Sequence, residues 1–237
     1  MGRLNRRPIF YANDAMLETF NFRVILEYMP LFLSCFFATL WLSGAGLIGS
    51  LGMGILACGM RISRFKLLSR TAYVYIESIR STPLLVQLFF FYFGLPSMGI
   101  RMSESTTGIL ALTLNSGAYM AEIIRAGVLS ISHGQMEAAV SSGLNYFQRM
   151  RYVVLPQAIG VTLPPMLGQA IVLVKDSSLL SLISLPELTR AGQIMTSERF
   201  MPAEGFLTTA VFYLLIYYVL KGISGWTQKQ LIFREAR

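Results

Sequence analysis

The residues of this chain that could do chemistry are charged and hydroxyl side chains at the end of a long apolar stretch. The chemistry that these side chains could perform is the binding of a polar solute. Residues 152–174 contain no Asp, Glu, Lys, Arg or His, and Lys175, Asp176, Ser177 and Ser178 follow them directly. A charge in a membrane span is costly and by default indicates a transport path. Adjacent residues lie about 100° apart on a helix, so Lys175 and Asp176 cannot pair as closely as residues four apart. We predict that Asp176, with the two serines, lies near the path of a polar solute, and a structural ion pair between helices is the alternative.

Five further polar side chains lie in or beside apolar stretches. We expect Gln87, Asn115 and Tyr119 to line the same path. Glu122 and Arg125 follow the third apolar stretch, at its cytoplasmic mouth, and we expect them to be gate or docking residues.

The sequence argues against catalysis by this chain. His133 is the only histidine, so neither a His/Cys metal set nor a histidine-based triad can be assembled. There is no GxxxxGK[ST] loop, so the chain cannot hydrolyse ATP. Residues 44–49 fit GxGxxG, but they lie in an apolar stretch without a strand before them, which favours helix packing over a nucleotide site. Cys35 and Cys58 are predicted to be inert thiols.

The elements that position these residues are predicted to be membrane helices. Of the 237 residues, 54% are hydrophobic and only 14% are charged, and the mean hydropathy is +0.56. A helix needs roughly 20 apolar residues to cross the hydrocarbon core. Five runs lack Asp, Glu, Lys, Arg and His and predict five spans: residues 28–60, 81–100, 105–121, 152–174 and 205–220. The fold class is therefore an all-α integral membrane protein with five transmembrane helices and a cytoplasmic helical hairpin.

Basic residues predict the orientation. The segments 61–70 and 122–151 and the tail from Lys221 onward hold 11 Lys or Arg, whereas 97–104 and 187–204 hold three. The positive-inside rule puts the C-terminus in the cytoplasm and the N-terminus outside. The net charge of +8 is then explained by topology and anionic membrane lipid, and no nucleic-acid partner is expected.

Two local patterns shape the spans. Pro83 fixes its own backbone angle and disfavours the helical conformation of the residue before it, so the second span is predicted to kink or restart there. Gly46, Ser50, Gly54 and Cys58 recur every four positions, and such small residues let helices approach closely in lipid.

Residues 132–155 predict a hairpin of two short helices. Ser132 and Gln135 have the spacing of a capping box, and Gly143 is placed to end the first helix in the left-handed conformation. Asn145 and Gln148 repeat the start signal. A polar hairpin on the water-exposed side of a membrane protein presents a surface to a soluble partner.

The hairpin carries a family resemblance. Its pattern resembles the EAA motif of ABC importer permeases at Glu137, Ala138, Ala139, Gly143, Val153, Leu155 and Pro156. Residues 80–87 and 119–127 resemble the polar amino acid uptake branch of these permeases, the histidine, glutamine and arginine type. The similarity covers about residues 35–230.

The resemblance implies a permease subunit of an ATP-driven amino acid importer in the bacterial cytoplasmic (inner) membrane. Its partners would be a second permease, identical or related, two cytoplasmic ATPase subunits that carry ATP and Mg, and a periplasmic or extracellular solute-binding protein. Glu137 to Gly143 would be the coupling helix in the ATPase groove, and Leu155 and Pro156 would continue it into the fourth span. The chain itself would need no cofactor. The substrate would be a polar amino acid, and the carboxylate of Asp176 would bind its ammonium group. An ion-coupled secondary transporter or channel subunit is the alternative.

The predicted organisation has three parts. Residues 1–27 form an N-terminal arm with an interfacial helix, residues 28–226 form the transmembrane permease domain with the coupling hairpin at 132–155, and residues 227–237 form a cytoplasmic tail.

Overall fold

The computed structural model describes residues 20–235 of the chain, and these residues form helices without strands. The predicted all-α class is therefore confirmed. The helices are α1 Phe22–Arg61, α2 Lys66–Arg80, α3 Leu84–Ser97, α4 Glu104–Leu129, α5 His133–Ser141, α6 Tyr146–Ile183, α7 Leu188–Arg199 and α8 Pro202–Glu235. Most of the predicted N-terminal arm lies outside the described residues, and α1 begins within its last part, at Phe22.

Three of the helices are long and apolar enough to cross a membrane. These are α1 with 40 residues, α6 with 38 residues and α8. They correspond to the first, fourth and fifth predicted spans. The helix α3 is apolar but only about 21 Å long. The helix α4 is longer, with 26 residues, but it does not combine length, apolar composition and few charges as the three spans do. The crossings predicted for these two helices stay predictions.

The helices α1 and α4 pack closely because small residues face each other. Gly46, Ser50, Gly54 and Cys58 are all buried along α1, as their four-residue spacing predicts. A Cβ atom on Gly54 would lie 2.6 Å from the Cβ of Met120 and 3.2 Å from the backbone nitrogen of Ala121. Only a hydrogen atom fits at this crossing, so Gly54 sets the distance between the two helices.

Buried apolar side chains join the remaining helices into two clusters. One cluster joins α1, α3, α4 and the end of α6 through residues that include Leu42, Leu88, Leu112 and Leu173. The other joins α1, α7 and α8 through residues that include Phe32, Leu188, Met195 and Ile216. The short helix α7 is thereby packed between two membrane spans.

The start of α7 is fixed by a buried carboxylate. Glu187 is fully buried and accepts hydrogen bonds from the backbone N–H groups of Thr189 and Arg190, both at 2.8 Å, and from the hydroxyl of Tyr213 on α8, at 2.7 Å. Burial raises the pKa of Glu187, although these donors oppose the shift. The side chain acts as an N-cap and ties α7 to the last span.

Candidate coupling hairpin and solute pathway

The hairpin between α4 and α6 is built from local turn signals. Gly143 has a φ of +75° and ends α5, while the N–H of Gly143 donates to the carbonyl of Val140 at 2.9 Å. Asn145 caps the next helix, because its side chain accepts from the N–H of Gln148 and the Gln148 side chain accepts from the N–H of Asn145, both at 2.9 Å. Both signals were predicted from the sequence.

The capping box predicted at Ser132 is wrong. Ser132 is the N-cap residue of α5, but its side chain makes no capping hydrogen bond. Its backbone carbonyl instead accepts from the N–H of Met136 at 3.4 Å, a weak bond. The start of α5 is therefore held less firmly than its end.

The outer face of the hairpin is exposed and partly apolar. Ala139 is buried, on a helix whose contacts are with the first turns of α6, whereas Glu137 and Ala138 are exposed. Nearby, Val140 is 53% exposed and Phe147 is 82% exposed. A soluble partner could cover these apolar side chains, and the carboxylate of Glu137 lies on the same exposed surface.

The hairpin continues into the membrane without a break. The helix α6 runs from Tyr146 to Ile183 and contains a π-helical turn at Met150–Val154. Pro156 lies in the first turn after it, following Leu155. Proline cannot donate a backbone hydrogen bond and crowds the preceding turn, and a π-helical turn is one way to relieve this. The helix is about 57 Å long, so the second hairpin helix and the fourth span form one rod.

The two predicted gate residues are paired with each other. The guanidinium of Arg125 donates to both carboxylate oxygens of Glu122, from Nε at 2.9 Å to Oε1 and from Nη2 at 2.7 Å to Oε2. The residues are three positions apart on α4, in the last three turns before the hairpin. The structure thus brings them together as one bidentate ion pair at the base of the hairpin.

The polar group at the end of α6 marks a change in helix type. The α-helical part ends at Asp176, and a 3₁₀ segment covers Ser177–Ile183. Lys175 is exposed and Asp176 is half-buried, and neither forms an ion pair with any residue whose side chain is described. Ser177 is buried and donates to the carbonyl of Val174 at 2.7 Å, and Ser178 is half-buried. Within this part of the chain, the structural ion pair considered as an alternative for Asp176 is therefore not formed.

Gln87 and Asn115 meet at a break between α2 and α3. Pro83 has an extended conformation and separates the two helices, as predicted. The Gln87 Nε2 donates to the carbonyls of Ile79 at 2.8 Å and Thr82 at 3.1 Å. Pro83 has no N–H and so cannot donate to the carbonyl of Ile79 as a helix would require. The Asn115 Nδ2 of α4 donates to the Gln87 Oε1 at 3.1 Å. Gln87 and Asn115 are each only 7% exposed, so their prediction as lining residues stays a prediction.

Sequence reasoning gave no role to two charged residues beside this break. Glu77 and Arg80 lie in the last turn of α2, and both are exposed. The guanidinium carbon of Arg80 lies 5.3 Å from the ring centroid of Tyr119, which is half-buried on α4. The signal that could have found them is a polar segment just before a proline that interrupts a predicted span.

Comparisons with known proteins agree with this geometry. The family described as binding-protein-dependent transport system inner membrane component matches residues 50–232. The chain is 41% identical over 206 residues to the glutamine transport system permease protein of Escherichia coli (strain K12), covering 86% of this chain and 94% of that protein. It is similar to a crystal structure of an amino acid ABC transporter with histidines, with a TM-score of 0.86, 37% identity, and coverage of 90% and 99%. An inward-facing structure of the MetNI methionine ABC transporter shares the fold, with a TM-score of 0.69, 21% identity, and coverage of 86% and 97%.

Proposed function

This chain belongs to the family of binding-protein-dependent transport system inner membrane components, and from that premise we propose that it is the permease subunit of an ATP-driven importer of polar amino acids. It forms the translocation path and couples that path to ATPase activity on a separate subunit. The observation that carries the proposal is that the exposed hairpin with the EAA motif is continuous with a membrane span.

The assembly contains several partners. A second permease, identical or related, completes the path, two cytoplasmic ATPase subunits bind the hairpins and hold ATP and Mg, and a solute-binding protein delivers the amino acid outside. The chain is an inner membrane protein, with its N-terminus outside and its C-terminus in the cytoplasm. The excess of Lys and Arg in the segments on one side supports this orientation.

The chain crosses the membrane five times. In addition to the spans α1, α6 and α8, α4 makes one crossing, with a length of about 39 Å. The helix α3 is too short to cross the roughly 30 Å hydrocarbon core alone, so it crosses together with the end of α2. This arrangement puts the hairpin and the turn between α1 and α2 on the same, cytoplasmic side.

Coupling uses the rod α6. The helix α5, with Glu137, Ala138 and Ala139, lies in the groove of an ATPase subunit, and Gly143 sets the angle to the rod. When the ATPase subunits close on ATP, the two hairpins change their spacing and each rod moves as a rigid body. Asp176 lies about 45 Å along the rod from Tyr146, so one helix carries both the coupling surface and a charged group of the path.

Along the path, Asp176 binds the cationic group of the solute, with Lys175, Ser177 and Ser178 beside it. Tyr119 lines the path further in, and the ion pair of Glu122 and Arg125 acts as a gate at the cytoplasmic mouth. Gln87 and Asn115 line the path beside Tyr119 and also position the broken helix, because they bond to each other and to the carbonyl of Ile79.

Uptake by a reconstituted complex tests the function. The chain is assembled in liposomes with its ATPase subunit and solute-binding protein, and the uptake of a panel of radiolabelled amino acids is measured. We expect uptake of at least one polar amino acid that requires both ATP and the binding protein and is unaffected by ionophores. Uptake that persists without the ATPase and collapses with an ionophore would instead indicate an ion-coupled secondary transporter.

Asp176→Asn tests the path within that assay. Removal of the charge should lower uptake roughly 10- to 150-fold, since a hydrogen bond to a charged group contributes roughly 1.5–3 kcal/mol. Glu104→Gln is the matched control, because Glu104 is an exposed carboxylate in the first turn of α4. Wild-type uptake and wild-type solute-stimulated ATPase activity in Asp176→Asn would show that Asp176 has no such role.

A further inference from the structure

The basic segment 61–70, which joins α1 to α2, carries an inference beyond the function proposed above. It holds Arg61, Arg64, Lys66 and Arg70 and no acidic residue. We propose that this segment and the start of α6 form a binding site for the phosphate group of an anionic membrane phospholipid. The inference does not depend on which solute crosses the membrane.

The basic segment lies at the membrane surface. Residues 28–60 contain no Asp, Glu, Lys or Arg, and Arg61 is the first charged residue after them. Among the residues that follow, Phe65 is 73% exposed and Leu67 is 80% exposed. Exposed apolar and basic side chains are favourable together at the boundary of the hydrocarbon core, where the apolar groups enter the acyl chains and the cations reach the phosphates. Lipid is therefore the neighbour that suits both kinds of side chain.

Three of the four cations are available to a ligand. The guanidinium of Arg61 donates to the hydroxyl of Ser69 at 3.1 Å. In contrast, Arg64, Lys66 and Arg70 are exposed and form no ion pair with any residue whose side chain the structure describes. An anionic lipid surface attracts each cation beside it, and a cluster of cations sums these attractions. The three free cations together favour a lipid with a net negative charge.

A surface cavity of about 620 Å³ beside these cations can hold a lipid head group. The residues that line it are Gly59, Ile62, Ser63, Arg64, Phe65 and Tyr146. The end of α1 and the turn after it form one wall, and Tyr146, the first residue of α6, forms the other. A head group in this cavity would therefore contact both the basic segment and the rod that continues the hairpin.

The donors of the cavity match a phosphate group. The guanidinium of Arg64 can donate two parallel hydrogen bonds to phosphate oxygens. The Ser63 Oγ accepts from the N–H of Phe65 at 3.2 Å, so its own proton is free to donate. Tyr146 is 55% exposed and offers a second hydroxyl. Within the described part of the chain no carboxylate lines the cavity, so the ammonium group of a zwitterionic head group has no partner there.

Lipid binding to the permease–ATPase complex tests the site. Native mass spectrometry of the complex in detergent counts bound lipids while phosphatidylglycerol, or phosphatidylethanolamine with the same acyl chains, is titrated. On the wild-type complex we expect the first phosphatidylglycerol to bind about 10- to 100-fold more tightly, since three cations each favour its negative charge. Equal affinities for the two lipids would overturn the proposal without any mutation.

Arg64→Gln tests the contact with the phosphate group. It should lower the affinity for phosphatidylglycerol about 10-fold, because charge-assisted hydrogen bonds are lost. Arg151→Gln is the matched control, since Arg151 is exposed on α6, five positions after Tyr146 and thus about 140° around the helix. This control removes a charge from the same side of the membrane and should bind like the wild type. An equal loss in both variants would indicate general attraction between charges and would overturn the site.

Gly59→Leu tests the cavity without changing a charge. A Cβ atom on Gly59 would have no neighbour within 4 Å, so leucine fits the fold but occupies the cavity. We expect phosphatidylglycerol to bind about 10-fold more weakly, because the side chain and the head group exclude each other, with no loss of thermal stability. Gly52→Leu, at an exposed position on the same helix with equally open space, should bind like the wild type. Normal lipid binding in Gly59→Leu would contradict the proposal.

Two further outcomes would assign the site to another occupant. Excess inorganic phosphate should leave phosphatidylglycerol bound, because the acyl chains add apolar contacts that phosphate lacks. Displacement by phosphate would indicate a site for the free ion, and loss of the ATPase subunit from the Arg64→Gln complex would indicate a protein partner; either result overturns the lipid assignment. Because lipid binding is measured without transport, a failure of ATP-dependent uptake would overturn the proposed function and not this inference.

Discussion

Gly54→Leu is expected to destabilise the folded chain strongly. The Cβ of any side chain at this position would lie 2.6 Å from the Cβ of Met120 and close to the α4 backbone, so the two helices would have to separate. A larger residue forced into a close-packed contact costs roughly 1–3 kcal/mol or more, and leucine adds three further carbon atoms. We expect a loss of at least about 3 kcal/mol, equivalent to roughly 150-fold in the ratio of folded to unfolded protein.

Gly52→Leu provides the matched control. Gly52 lies on the same helix, is exposed, and has open space where a Cβ would stand. The measurement is the monodisperse fraction after detergent extraction, followed by unfolding on heating. If Gly54→Leu and Gly52→Leu are extracted and melt alike, the contact between α1 and α4 does not determine the fold.

Glu137→Lys is expected to abolish transport while leaving the chain folded. Glu137 is exposed on α5, so reversal of its charge does not disturb packing within this subunit. In a partner's groove the new charge would be buried without a counter-ion, and loss of one member of a buried charge pair at an interface costs roughly 2–5 kcal/mol or more. We therefore expect at least about a 30-fold drop in ATP-dependent uptake and loss of co-purification with the ATPase subunit.

Gln135→Lys separates docking from a general effect of added positive charge. Gln135 lies on the same helix, two positions away and thus on a different face, and it is also exposed. We expect this variant to retain the ATPase subunit in a pull-down and to transport normally. Undiminished co-purification and uptake in Glu137→Lys would argue that α5 is not the coupling helix.

The sequence predicted elements whose cause is local. Apolar runs identify α1, α6 and α8, because crossing hydrocarbon depends on the composition of the segment alone. Gly143 and the pair Asn145 and Gln148 were recognised because capping acts within three or four residues. Ser132 had the same pattern without the bond, which shows that spacing permits a cap but does not ensure it.

Tertiary structure decided the features that depend on which helix faces which. Gln87 and Asn115 were chosen as polar residues in apolar stretches, but only the packing of α3 on α4 brings them together across the break. Glu187 begins the segment 187–204, which the count of basic residues places outside the membrane, yet the fold buries it as the cap of α7 beside Tyr213. Arg80 was given no role by the sequence, and only the packing of α2 beside α4 brings its guanidinium over the ring of Tyr119.

The physical reason is the range of the interactions. Hydropathy and helix capping are properties of a few consecutive residues, so the sequence by itself determined the membrane class, three of the spans and the hairpin. Hydrogen bonds between helices and the spacing set by Gly54 join residues far apart in the chain. Only the packed structure decides which of these polar groups bind each other and which stay free for a solute.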